Sequence, residues 1–182
     1  MNRKYLSIVL KWALFLFIGL TSLSFITEIL FSEKQSFIWR AIFYILWLAV
    51  VVLCFAGAAK EYRTKLLDGH LKYGQALLSS IIVSLFASIL ISTFNFTYYE
   101  FINKEGFENN IMQGVEAIES NSFFPEEAKE IGIAKMMEIT PFSSSVTLFW
   151  SNVIFLIFLA LIISIFTKKK DESFESQFKD VE

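Results

Sequence analysis

The sequence predicts an all-α integral membrane protein: four transmembrane helices in an antiparallel bundle, with a small extracytoplasmic helical hairpin between the third and fourth. Three observations predict it. Apolar side chains make up 55% of the chain and fall in long unbroken runs rather than in the amphipathic stripes of a soluble domain. Two of these runs flank a short basic connector: Ala41 to Ala59 carries no charge, and Lys72 is the last charge before Glu100. At about 1.5 Å rise per residue, each run is long enough to cross about 30 Å of hydrocarbon as a helix. Finally, lysine and arginine collect in alternate connectors, so the net charge of −2 averages over segments of opposite sign. Residues 1–170 are expected to form one membrane domain, followed by a charged tail over 171–182 that lacks apolar periodicity and reads as disordered.

The first helix is expected over about 5–31. Arg3 and Lys4 before an apolar run have the shape of a signal peptide. Lys11, however, interrupts the stretch that such a peptide keeps apolar, and no small-x-small cleavage site follows, so the helix reads as retained. Lys11 lies near one end, where its stem can reach the interface. The turn Phe31 to Ser36 is short, which sets the second helix (about 37–63) beside the first. Glu28 and Arg40 each stand six residues from Lys34. At that matched depth they either form a salt bridge or reach water separately.

The connector carries Lys60, Arg63, Lys65 and Lys72 against Glu61 and Asp68. Asp68-Gly69 reads as a helix stop, because glycine adopts the left-handed conformation that closes a helix. His70 has no second histidine or nearby cysteine with which to build a ligand set, and reads as a polar loop residue. Cys54, the only cysteine, lies in an apolar run. That excludes a disulfide framework and a thiolate metal site, and no cofactor is expected.

In the third helix, about 73–99, Ala76, Ser80, Ser84, Ser88 and Ser92 recur every fourth residue. Small residues let helices approach closely in lipid, so the stripe reads as a packing seam rather than a hydroxyl-lined conduit. Asn95, near the outer end, is placed by depth to meet Asn152 of the fourth helix as an interhelical amide pair. The extracytoplasmic segment, about 100–142, is acidic and holds two helical patterns: Phe107, Ile111, Val115 and Ile118, then Ala128, Ile131, Ala134 and Met137 after Pro125. The fourth helix, about 143–167, is stopped by Lys168, Lys169 and Lys170. Both termini, the basic connector and the triple lysine share one side, which the excess of Lys and Arg marks as cytoplasmic.

Lys60-Glu61-Tyr62-Arg63, Gly69, Tyr73-Gly74-Gln75-Ala76, Tyr98-Tyr99-Glu100-Phe101-Ile102 and Phe124-Pro125-Glu126-Glu127 resemble an uncharacterised bacterial membrane family, domain of unknown function 4199. The likeness runs from the first helix to the triple lysine. It departs at Lys104-Glu105-Gly106, where such proteins tend to carry a Pro-Asp-type turn. The resemblance implies four transmembrane helices in a bacterial inner membrane and brings no activity or catalytic residues.

No HExxH, GxSxG or phosphate-cradling glycine loop occurs, so a non-enzymatic role is expected: an accessory or scaffold to another membrane component. The alternative is a small oligomeric transporter or channel using Glu28. Expected partners are the lipid bilayer, anionic headgroups contacted by Lys60, Arg63, Lys65, Lys168, Lys169 and Lys170, and a membrane protein or a second copy of the chain. Nothing in the chain points to nucleic acid.

Overall fold

The computed structural model describes residues 3–30 and 37–168, with the backbone alone for Glu28, Ile29, Leu30 and Phe37. The described residues form α1 (Arg3–Leu30), α2 (Phe37–Leu66), α3 (Tyr73–Thr97), a π-helical turn (Tyr98–Ile102), α4 (Lys104–Glu119), α5 (Glu126–Met137) and α6 (Pro141–Thr167). No strand occurs among them. Four helical stretches are long and apolar enough to cross a membrane: Arg3–Thr27, Ile38–Leu66, Tyr73–Ile102 and Pro141–Thr167. These are the four expected spans, displaced at their ends by a few residues. The turn at 31–36 and the tail at 171–182 lie outside the described residues.

The chain divides into two compact units, Met1–Leu90 with Asn152–Glu182, and Ile91–Ser151. In the first unit α1 lies against α2, and residue numbers fall along α2 as they rise along α1. The Tyr5 ring meets Tyr62 with centroids 4.6 Å apart, the Trp12 indole lies on Gly57, and a Cβ added to Gly19 would come within 2.7 Å of Val50 Cγ1. Beyond α2 the chain reverses through Asp68 and Gly69, both at positive φ (46° and 92°), and the Gly69 N–H donates to the Arg63 carbonyl (3.1 Å). Glycine is the residue that takes such a φ at little cost. Leu71 then turns inward and is buried with Ala59 and Ala76, with Tyr62 and Leu67 packed beside them. The Gln75 side chain accepts the Lys72 N–H (3.0 Å), which satisfies a donor otherwise left open at the start of α3.

In the second unit Asn103 caps α4 by accepting the Gly106 N–H (3.0 Å), so Lys104-Glu105-Gly106 forms a capped helix start. The α4 pattern holds: Val115 is buried, and Phe107, Ile111 and Ile118 are half-buried. The α5 pattern does not. Ala128, Ile131, Ala134 and Met137 are exposed, and the half-buried face consists of Lys129, Gly132, Ile133 and Met136. The physical reason is Gly132, which meets Ile118 of α4, while Met136 lies on Gly114. Close approach at glycines decides which side of α5 turns inward, and glycine leaves no mark in an apolar count. At the start of α6, Thr140 and Ser143 exchange bonds: the Ser143 N–H donates to Thr140 Oγ1 (3.2 Å) and the Thr140 N–H to Ser143 Oγ (3.0 Å). This reciprocal cap, with Pro141 at the first helical position, fixes where the fourth span begins.

Candidate functional site

The most developed polar constellation in the first unit centres on Glu61, a residue of the last two turns of α2. Its carboxylate accepts from three donors. The Lys11 ammonium pairs with Oε2, Trp12 Nε1–H donates to the same oxygen (2.8 Å), and Lys65 donates to Oε1 (2.8 Å). Glu61 is 14% exposed against 44% for Lys11 and 64% for Lys65, so the anion is nearly enclosed while its cations keep one side in solvent. Local packing explains the geometry. Gly57 is one turn before Glu61 and has no side chain, so the Trp12 indole settles on it and its N–H reaches the carboxylate. Lys11 also lies 5.1 Å from the Trp12 ring centroid, a cation–π contact that helps to orient the ammonium.

These groups border an open cleft of about 530 Å³ between α1 and the end of α2, lined by Arg3, Lys4, Ser7, Ile8, Lys11, Glu61 and Lys65. Three of these cations, Arg3, Lys11 and Lys65, stand against the one carboxylate of the lining, which leaves the cleft positive. A second cleft, of about 540 Å³, lies in the other unit among Tyr99, Lys104, Phe107, Glu108, Met112 and Met137, with further residues of the π turn and the approach to α6. Among the described residues no three His, Cys, Asp or Glu side chains come together in a way that would hold a metal ion.

The residues singled out from the sequence fall as follows. Arg40 is exposed, and its pairing with Glu28 lies outside the described residues because the Glu28 side chain does. Ala76, Ser80, Ser84, Ser88 and Ser92 are all buried. Ser84 Oγ donates to the Ser80 carbonyl (2.8 Å), whereas the hydroxyls of Ser88 and Ser92 are enclosed with no hydrogen-bond partner. Asn95 Oδ1 accepts from Ser145 Oγ (3.1 Å), near the start of α6, and Asn152 is half-buried further along that helix. Lys60 and Lys168 are exposed, Arg63 is half-buried, and Lys169 and Lys170 lie outside the described residues.

A family model described as a protein of unknown function (DUF4199) matches residues 11–169. The chain belongs to this family. The match starts at Lys11 and takes in Trp12, Glu61 and Lys65, so the Glu61 cluster of this DUF4199 protein lies within the matched region. No curated protein and no solved structure matches the chain.

The sequence reading missed the cluster because it treated Lys11 and Glu61 separately, one as an interfacial lysine and the other as part of a basic connector. A signal was present. The register that brings Trp12 to Gly57 leaves Lys11 about one helical turn from Glu61, a rise of about 5.4 Å that a lysine side chain spans.

Proposed function

We propose that this chain is a non-enzymatic, multi-pass protein of a bacterial inner membrane that acts as an accessory or scaffold to another membrane component. Its four spans run antiparallel, both termini are cytoplasmic, and α4 and α5 lie on the outer side. The observation that carries the reading is the outward apolar face of that helix pair. Phe123 is 92% exposed, and Phe124, Ile131 and Met137 are exposed with it, among the acids Glu126, Glu127 and Glu130. Large apolar side chains exposed among acids are typical of a protein-binding surface. The Glu61 cluster agrees with a structural role: its carboxylate holds Lys11 and Trp12 of α1 against α2 and pairs with Lys65 one turn further along α2.

The experiment is gentle extraction of the tagged protein from its native membrane, with mass spectrometry of what accompanies it. A stoichiometric membrane-protein partner is expected for the unchanged protein, with clear loss from a Phe123→Ser/Ile131→Ser variant. Recovery of a lone homo-oligomer would overturn the accessory role.

A further inference from the structure

The positive cleft between α1 and α2 has more cationic donors than its own carboxylate uses. Glu61 takes one N–H from Lys11 and one from Lys65, and each ammonium has three. Arg3 forms no ion pair with a carboxylate among the described residues, and it brings a planar fork suited to two phosphate oxygens. Ser7 adds a hydroxyl at the wall. The volume lies in the range of sites that hold small ligands. Glu61 holds Lys11 and Lys65 in place and so preorganises the cleft for an anion.

The surface next to it narrows the ligand class. Leu14, Phe15 and Ile18 are exposed on α1, at three, four and seven residues beyond Lys11, on the side of the helix that Lys11 occupies. One face of α1 therefore passes from Arg3, Ser7 and Lys11 to an apolar strip. Free phosphate would use only the first part, whereas a phospholipid would use both. We propose that this cleft is a binding site for the phosphate of an anionic phospholipid, with the headgroup among Arg3, Lys4, Lys11 and Lys65 and an acyl chain along Leu14, Phe15 and Ile18. The proposal rests on the membrane-spanning reading of the helices and is independent of whether a protein partner exists.

The test is native mass spectrometry of the full-length protein in detergent, titrated in turn with phosphatidylglycerol, phosphatidylcholine and inorganic phosphate. Phosphatidylglycerol is expected to be retained in preference to phosphatidylcholine. Each cation removed is expected to weaken its retention about fivefold, so an Arg3→Gln/Lys4→Gln variant should lose about twenty-five-fold. Both residues are exposed at the start of α1, which makes the variant compatible with folding. Lys135→Gln, an exposed cation on α5, is expected to leave retention unchanged. Equal retention of the two lipids, or undiminished phosphatidylglycerol in the double variant, would overturn the site. Binding of inorganic phosphate without preference between the lipids would overturn the lipid as its ligand. Each of these results is read without reference to co-purifying proteins, so failure here and failure of the accessory role are separable.

Discussion

At the scale of single residues, Glu61 matters more than its charge suggests. A nearly enclosed carboxylate with three donors ties α1 to α2, and its removal strands the Trp12 N–H and two ammonium groups at once. Leaving the part-buried Trp12 N–H without its acceptor and Lys11 without its counter-ion costs about 1–3 kcal/mol, so Glu61→Ala is expected to lower stability in detergent by that much. Lys65→Ala removes only a largely solvated partner and should change stability by less than about 1 kcal/mol. Thermal unfolding of the two variants side by side checks this, and equal losses would mean that Glu61 does not clasp the helices. The cluster was partly legible. Each residue was visible as a charge at the end of an apolar run, but their meeting depends on Gly57 making room for an indole, and an absent side chain carries no hydropathy signal.

At the scale of elements, α3 and α5 show the two ways in which pattern and packing relate. The four-residue spacing of small side chains in α3 coincides with a buried face, because smallness is itself what permits burial against another backbone. Ser84→Leu is therefore expected to destabilise the protein by about 1–3 kcal/mol through overpacking, while Thr93→Leu, exposed on the same helix, should be tolerated. A denaturation series that finds the two equally harmless would place the stripe against lipid. In α5 the apolar spacing pointed the wrong way. The inward face was set by Gly132 against Ile118, and Ile131 and Met137 were left outside. The start of α5 was more legible, since Pro125 announces it through backbone chemistry that acts locally.

At the scale of the whole molecule, the four spans were legible because apolar length is a property of the sequence alone, needing no knowledge of what touches what. Lateral contacts were less so, as Met136 lying on Gly114 illustrates. The proposed orientation rests on charge in the sequence: Arg3 and Lys4 precede the first span, Lys60, Arg63, Lys65 and Lys72 stand between the second and third, and Lys168, Lys169 and Lys170 follow the fourth. A reporter fused at Glu182 is expected to read cytoplasmic and one inserted near Asn121 external, and the reverse pattern would invert the topology. The seam of α3 has one further consequence. Ala76, Ser80, Ser84 and Ser88 form a ruler whose marks are nearly identical, so sliding the helix by one mark, about 6 Å along its axis, presents almost the same profile to its neighbours. Such a surface grips without indexing. The vertical setting of α3 must then come from features that do not repeat: Leu71 plugged beside Ala59 and the Tyr73 hydroxyl donating to the Leu161 carbonyl (3.4 Å) at its start, and Asn95 accepting from Ser145 (3.1 Å) near its end. The helix is pinned at its two ends, and the seam is the rail between them.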